Sequence, residues 1–280
     1  MSKEFTKDDV IQNKKEAIKA LNKMLESFIN NPTGNHLKKA HLISYWIKDY
    51  VQMINFENKF EPTKNIAYKR GNIIKLNFGF NIGSEYGGLH YGIVLDKKND
   101  HSSPVVTVIP LTSIKDSSAI HPNSVELGNE LYKSLKLKYD TISKALKDEQ
   151  QEIIQTIATV SSLVNLAEKT LQSSKEKENT NELQSELNEV EKYLDAAEKI
   201  DALWKEKQQH NEEQQEYLNK IGEEISRMKK GSIALVNQIT TISKIRIFDP
   251  RNLKGVLAGV SLSEDSMEKI NKKVNDLYVF

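Results

Sequence analysis

The hydrophobic positions of the first 60 residues recur at the three- and four-residue spacing of amphipathic helices. One helix is predicted over residues 8–30 and a second over residues 35–58, separated by a dense cluster of turn-forming residues at 30–34. The second helix carries a wide apolar face, formed by Leu42, Ile43, Trp46, Ile47, Tyr50, Met53 and Ile54. This face exceeds what a hairpin alone would bury, so the helical hairpin of residues 1–62 is expected to dock on the rest of the chain or on a second copy. Its aromatic residues are interpreted as core, with a nucleic-acid stacking surface as the alternative.

From Tyr68 the pattern changes to short apolar runs, rich in β-branched and aromatic residues and bounded by turn formers. Strands are predicted at residues 72–80, 91–95, 105–111, 124–127, 232–239 and 241–248. Short strands at this spacing are typical of a small antiparallel barrel or sandwich. A last helix is predicted to begin near Ser261, because Ser261 and Glu264 have the spacing of a capping box.

From about residue 129 to residue 230, between the fourth and fifth predicted strands, the chain contains no proline and a single glycine, Gly222. Apolar residues there alternate between three- and four-residue steps in two runs, separated by the polar sequence 173–181. This heptad pattern predicts an antiparallel coiled-coil hairpin over residues 128–230, inserted into the β domain of residues 63–127 and 231–280. Each arm of about 45 residues would be roughly 65–70 Å long. The hairpin is either a recognition or dimer arm or a rigid spacer.

Composition limits the chemistry. The chain has no cysteine, which excludes disulfides and thiolate catalysis, and the spacing of its histidines does not suggest a metal site. The N-terminus mixes Lys, Glu and Asp, and no apolar run approaches the roughly 20 residues of a membrane span, so a cytoplasmic protein without membrane association is expected. The net charge of +1 conceals an acidic helical insertion and a basic remainder. No cofactor is expected.

The loop between the first two predicted strands contains the candidate chemistry. Its sequence, Gly83-Ser84-Glu85-Tyr86-Gly87-Gly88-Leu89-His90-Tyr91, places two adjacent glycines just before a histidine. Glycine permits positive φ and close approach of a ligand to the backbone. Histidine exchanges protons near neutral pH. On this local pattern alone, an ordinary hairpin loop is the simpler interpretation.

Four segments in order change that interpretation. They are Lys69-Arg70-Gly71-Asn72-Ile73-Ile74, the loop Gly83-Ser84-Glu85-Tyr86-Gly87-Gly88, the strand Val106-Thr107-Val108-Ile109-Pro110-Leu111-Thr112-Ser113, and Asn237-Gln238-Ile239-Thr240-Thr241-Ile242-Ser243-Lys244. Together they resemble the MazF/PemK family of toxin endoribonucleases. The resemblance covers residues 65–127 and 231–280 and extends neither to the N-terminal helices nor to the coiled coil. It implies a small SH3-like antiparallel β barrel with a C-terminal helix, and a homodimer.

The resemblance also implies an activity and partners. Members cleave single-stranded RNA without a metal, by attack of the 2′-hydroxyl on the phosphate, and a cognate antitoxin restrains them. Here His90 occupies the position of the family's central catalytic arginine. Either His90 acts as general acid or base, or the chain is a catalytically inactive barrel that binds RNA or protein with the coiled coil as its interaction arm.

Further site residues follow from the resemblance. Thr112 matches the second active-site residue of the family, and Glu85 either transfers a proton or orients the loop. Thr240 and Ser243 stand where the family has an arginine and an aspartate. The candidate RNA contacts are Arg70, Ser84, Gly87, Gly88, Ser113, Lys244 and Arg246.

Overall fold

The computed structural model describes residues 5–114, 120–174, 180–229 and 231–279. Its helices are α1 Lys7–Asn30, α2 His36–Glu57, α3 Glu130–Ser174, α4 Thr180–Arg227 and α5 Glu264–Tyr278. Its strands are β1 Ile73–Asn77, β2 Leu89–Val94, β3 Val105–Ser113, β4 Ser124–Gly128, β5 Ser232–Leu235, β6 Thr240–Ser243 and β7 Ile247–Asp249. The fold is therefore mixed α+β with an antiparallel sheet, as predicted.

The chain forms two compact units. The first comprises Met1–Leu111 and Leu235–Arg251, and the second comprises Thr112–Ala234 and Asn252–Phe280. The boundary passes through β3, whose last two residues belong to the second unit. The three-part organisation with boundaries near residues 62, 127 and 231 stays a prediction.

The sheet of the first unit has the strand order β6-β3-β2-β1-β7, and each neighbouring pair is antiparallel. The β1–β2 ladder runs from Ile73 opposite Ile93 to Asn77 opposite Leu89. Alternate residues of β1 and its continuation, Ile74, Leu76 and Phe78, point to one buried face, as the two-residue period of a strand requires. Residues from the neighbouring strands complete this core, including Val94, Val106, Val108, Ile242 and Ile247.

This sheet is strongly curled. Its two edge strands, β6 and β7, follow each other in sequence and are joined by a single 3-10 turn, Lys244–Arg246. A connection that short spans at most about 14 Å, whereas the edges of five flat strands would lie roughly 19 Å apart. Among the described residues β6 and β7 do not pair with each other, so the sheet is not closed. The SH3-like barrel is therefore not confirmed.

The N-terminal helices form the predicted hairpin and belong to the first unit. α1 begins at a capping box in which Thr6 and Asp9 bond each other's backbone N–H groups. α2 contacts the 3-10 turn between β6 and β7. Ile43 is the one residue of the predicted apolar face of α2 that is buried, and Ala40, outside that face, is buried as well. Tyr50 and Ile54 are about half exposed.

In the second unit, α3 and α4 pack against each other as antiparallel helices. Residues later in α3 pair with residues earlier in α4: Gln150 is hydrogen-bonded to Asn211, and Glu152 to Lys207. The turn predicted at residues 173–181 lies largely outside the described residues, and coiled-coil packing stays a prediction. β4 is a neighbour of β5 in the sheet.

The base of this helix pair packs into the C-terminal segment of the same unit. Lys138 donates hydrogen bonds to the carbonyls of Val256 and Ala258, and the Tyr217 hydroxyl donates to the Gly255 carbonyl. Glu130 accepts hydrogen bonds from Ser263 and Ser266 at the start of α5. Four apolar side chains at the base are almost completely buried: Leu131, Leu135, Leu218 and Ile221.

The start of α5 corrects one prediction. The helix begins at Glu264, and its N-cap is Ser263, whose side chain accepts the N–H of Ser266. Ser261 is therefore not the cap. The prediction failed because both serines precede acidic residues at plausible spacings, and only the backbone conformation distinguishes them.

We expect the bounds of a deletion in the α3–α4 pair to decide whether the shortened protein folds. We expect excision of residues 151–209, closed by a short Gly-Ser linker, to leave the thermal midpoint within a few degrees of the full chain. Excision of 129–230 is expected to lower it steeply, because it removes the four buried side chains of the base, each worth about 1.5–3 kcal/mol. Differential scanning calorimetry compares the two. Equal midpoints would contradict a structural role of the base.

Candidate active-site loop

The glycine-rich loop connects β1 to β2 and extends their ladder. The Phe78 N–H donates to the Gly88 carbonyl at 2.8 Å, and the Gly88 N–H donates to the Gly79 carbonyl at 2.7 Å. The Asn81 side chain donates to the Tyr86 carbonyl at 2.7 Å and so closes the tip. The loop is thus held by bonds of its own backbone.

Two glycines are required for different reasons. A Cβ at Gly87 would lie 2.7 Å from the Gly79 carbonyl oxygen, which is closer than carbon and oxygen approach in proteins. Gly88 instead has a positive φ of 91°, a region that side chains of L-residues rarely enter. The adjacent glycines singled out from the sequence are therefore steric and conformational requirements of this turn.

Gln238 fastens the loop from the segment between β5 and β6. Its Oε1 accepts the Tyr86 N–H at 3.2 Å, and its Nε2 donates to the Ser84 carbonyl at 3.4 Å. The Tyr86 hydroxyl donates to the Leu111 carbonyl at 2.6 Å. The second and fourth motifs, 150 residues apart in sequence, thus meet in space.

Removing this fastening should loosen the loop. Gln238→Ala is expected to cost about 1–2 kcal/mol of unfolding free energy, because two hydrogen bonds are lost and the Tyr86 N–H loses its partner. Amide hydrogen exchange at Ser84–Tyr86 should accelerate. The matched control is Asn237→Ala at the exposed neighbouring position. Equal exchange rates in both variants would show that Gln238 does not hold the loop.

His90 is the second residue of β2, opposite Leu76. Its ring packs against Tyr86 with centroids 4.7 Å apart, and its Nε2 folds back over Gly88. The residue is exposed, and its packing against Tyr86 shields part of the ring from water. Desolvation disfavours the cationic form and lowers the pKa of His90 below its ordinary value of 6.5. At neutral pH the imidazole is therefore predominantly uncharged and able to accept a proton.

Glu85 is exposed near the tip of the loop, and its carboxylate accepts the Ile82 N–H at 3.3 Å. This bond favours the loop-orienting role among the two considered for Glu85. Ser84 is exposed as well, and its carbonyl is engaged by Gln238.

A groove of about 880 Å³ lies between the loop and α2. His90, Gly87 and Gly88 line one wall, and residues of α2 line the other. Asn77 connects the two walls, because its side-chain amide donates to Asp49 of α2 at 3.2 Å. The volume is in the range of ligand-binding clefts.

None of the three basic candidates lines the groove that His90 lines, but Arg246 lines a second cavity of about 470 Å³ together with Glu85 and Tyr86 of the loop. Arg70 bonds the Leu95 carbonyl at the opposite end of the β1–β2 ladder, about five residues or roughly 17 Å along β2 from His90. Arg246 is held between the Trp46 ring, 5.0 Å away, and the Phe78 carbonyl, 3.3 Å away. Desolvation lowers the pKa of both guanidinium groups from their ordinary value.

Lys244 is a correction. It was predicted to contact RNA, but its side chain is completely buried, with Nζ donating to the Asp100 carbonyl at 3.1 Å and lying 5.7 Å from the Tyr68 ring centroid. Desolvation lowers the pKa of this ammonium group. An ammonium group with no exposed surface cannot reach a phosphate, so Lys244 is a structural residue of the first unit.

Thr112 and Ser113 are the last residues of β3 and belong to the second unit. Both are partly buried. Their part in the site stays a prediction from the family resemblance.

Sequence reasoning missed the α2 wall of the groove. Its exposed members include Lys38, Lys39, His41 and Tyr45. The aromatic residues of α2 were interpreted as core, which fits the half-buried Trp46 against Gly79 but not Tyr45, which is 53% exposed. The sequence signal for this wall was that basic residues, Lys38 and Lys39, interrupt the apolar stripe of α2.

The described residues contain no cluster of three or more His, Cys, Asp or Glu side chains arranged to hold a metal ion. None of the described helices is both long enough and apolar enough to cross a membrane.

Comparison with known proteins confirms the family resemblance over part of the chain. Residues 69–173 match the family described as PemK-like, MazF-like toxin of type II toxin-antitoxin system. The match begins at the first motif and includes the loop, His90 and Thr112. It does not reach residues 231–280, where the fourth motif lies. No curated protein matches the chain.

Proposed function

We propose that this chain, which carries a PemK-like, MazF-like toxin domain at residues 69–173, is a toxin endoribonuclease that cleaves single-stranded RNA without a metal. The observation that carries the proposal is the position of His90, a desolvated imidazole at the groove wall beside the glycine loop. A neutral histidine in a cleft is a suitable general base.

The reaction needs a base, an acid and a group that stabilises the charge on the phosphorane. A base removes the proton of the 2′-hydroxyl, the 2′-oxygen attacks phosphorus, and the 5′-oxygen leaves as its bond to phosphorus breaks and it gains a proton. His90 takes the first role, and the imidazolium that results can return the proton to the leaving 5′-oxygen. The products are a 2′,3′-cyclic phosphate and a 5′-hydroxyl end.

Charge on the phosphorane must also be stabilised. Thr112 is proposed to donate its hydroxyl to a non-bridging oxygen, as the resemblance implies, with Ser113 beside it. Ser84, Gly87 and Gly88 are proposed to contact the RNA backbone along the loop. Arg70 and Arg246 are retained only as outer contacts, because each already bonds a carbonyl.

The proposed partners follow from the family. A cognate antitoxin would restrain the toxin, and the working form would be a cytoplasmic homodimer in a barrel-like fold. Size-exclusion chromatography with light scattering tests the dimer. Co-expression with the product of a small adjacent gene tests the antitoxin, through relief of growth inhibition.

The decisive experiment incubates the purified protein with varied single-stranded RNAs in excess EDTA. We expect cleavage, with 2′,3′-cyclic phosphate ends identified by mass spectrometry. Cleavage only after addition of a divalent metal would refute the metal-independent mechanism. No cleavage of any RNA would refute the proposed endoribonuclease activity.

The second candidate is an inactive, RNA- or protein-binding domain. A specific observation favours loss of catalysis, namely that two basic candidates are engaged in packing, with Lys244 buried and Arg246 stacked over the Trp46 ring. RNA binding without cleavage in the same experiment would support this candidate.

A further inference from the structure

We propose that the exposed face of α2 is a nucleotide-binding subsite, which holds the single-stranded RNA flanking the scissile bond through phosphate contacts and base stacking. The inference rests on the proposed function and extends it to a part of the chain that precedes the matched domain. Its elements are Lys38, Lys39, His41 and Tyr45, all on the groove wall facing the glycine loop.

The aromatic element is a pair of exposed rings. His41 and Tyr45 are one helical turn apart, with ring centroids 4.9 Å apart in an edge-on arrangement. Tyr45 is 53% exposed. Lys48 Nζ lies 4.7 Å from the same ring. An exposed ring beside cations is the platform on which single-stranded nucleic acids stack their bases.

The positive charge of the groove lies at the beginning of α2. Lys38 and Lys39 are exposed there, and the Lys39 Nζ also lies 5.5 Å from the Phe28 ring centroid. The lining contains two carboxylates as well, Asp49 and Glu85, which accept hydrogen bonds from the Asn77 amide and the Ile82 N–H. Asp49 is ten residues after Lys39, about 15 Å along the helix, so the lysine end of this wall can meet a phosphate.

The spacing agrees with a strand that runs along the helix. Lys38 and Tyr45 are seven residues apart, which is about 10 Å along a helix axis. His90 lines the same groove. A strand that places a phosphate at the lysines and a base on Tyr45 therefore passes the proposed catalytic group.

The competing ring, Trp46, does not belong to the subsite. It packs against Gly79, where an added Cβ would meet it at 3.1 Å, and beneath Arg246. Trp46 anchors α2 to the sheet, whereas the neighbouring Tyr45 lines the groove and remains exposed.

Fluorescence anisotropy with a labelled, mixed-sequence 2′-O-methyl oligonucleotide tests the subsite. This probe lacks the attacking 2′-hydroxyl and cannot be cleaved, so binding is measured apart from catalysis. The full-length Lys38→Ala/Lys39→Ala variant should lose affinity, and its log Kd against log salt slope should fall by about 1.4, because each phosphate contact to a single strand contributes roughly 0.7. The matched control is Lys14→Ala/Lys15→Ala on exposed positions of α1.

Stacking is tested separately. Tyr45→Ala should weaken binding roughly 5- to 150-fold, the range expected for loss of one stacked base, while Tyr45→Phe should retain it. Salt slopes and affinities equal to those of the α1 control would overturn the proposal and favour a peptide as the occupant of this groove. If these variants behave as expected but no RNA is cleaved, the subsite stands and the endoribonuclease proposal falls.

Discussion

His90→Ala should lower RNA cleavage by about 10²- to 10⁴-fold, the contribution expected of one general base. The substitution removes the only group we assign to proton transfer from the 2′-hydroxyl. Binding of the uncleavable oligonucleotide should change little, because the loop is held by Gln238 and by its own backbone bonds. Single-turnover cleavage of a labelled RNA measures the effect. The matched control is His210→Ala, at an exposed position of α4.

The pH profile separates a catalytic from a structural role. A base must be unprotonated to act, so kcat/KM of the wild type should fall as pH decreases through the pKa of His90. Desolvation lowers that pKa, so the midpoint should lie below 6.5. His90→Ala should lack this acidic limb. A residual activity with the limb intact would assign the titration, and the base, to another group.

Gly87→Ala should be the most damaging substitution within the loop. Its Cβ would lie 2.7 Å from the Gly79 carbonyl oxygen, which itself accepts the Gly88 N–H, so relief requires movement of backbone on both sides. We expect a loss of about 1–3 kcal/mol in unfolding free energy. Cleavage should fall by about 10²-fold, because a shift of about 1 Å in His90 is sufficient for that.

Gly83→Ala is the control for Gly87→Ala. Gly83 has a φ of 63°, but no atom lies within 4 Å of an added Cβ. It should therefore cost about 1–2 kcal/mol from backbone strain alone and leave cleavage nearly unchanged. Chemical denaturation and single-turnover cleavage measure both variants. Equal loss of activity would show that loop strain, rather than the Gly79 contact, governs the site.

The ends of α1 and α2 could be predicted within about two residues, because turn and capping residues act over a few positions. The turn cluster before α2 and the capping residues Thr6 and Asp9 act over a few positions. The C-terminal strands could not, because runs predicted as two strands at 232–239 and 241–248 are broken by 3-10 turns at Val236–Gln238 and Lys244–Arg246. The β-branched residues that flank these turns predict continuous strands, and the polar residues within the turns are common in exposed strands too, so the sequence alone does not place the breaks.

The candidate site divides in the same way. The loop and His90 could be located from the sequence, because the two glycines, the family motif and the histidine lie in one contiguous segment. The basic residues could not be assigned, since a lysine that follows a strand is usually exposed. Lys244 can be buried because the Asp100 carbonyl, 144 residues earlier in the chain, accepts a hydrogen bond from its Nζ. The α2 wall was likewise hidden, because helical periodicity does not tell which aromatic faces a groove.

The short edge strands of the first unit also limit how its sheet can meet other proteins. β6 has four residues and β7 has three, and the residues between them form a 3-10 turn that cannot pair as a strand. Neither edge offers the long row of unpaired N–H and C=O groups on which an extended peptide could add a strand or an aggregate could nucleate. A protein that binds this unit is therefore expected to contact its side chains rather than to extend its sheet.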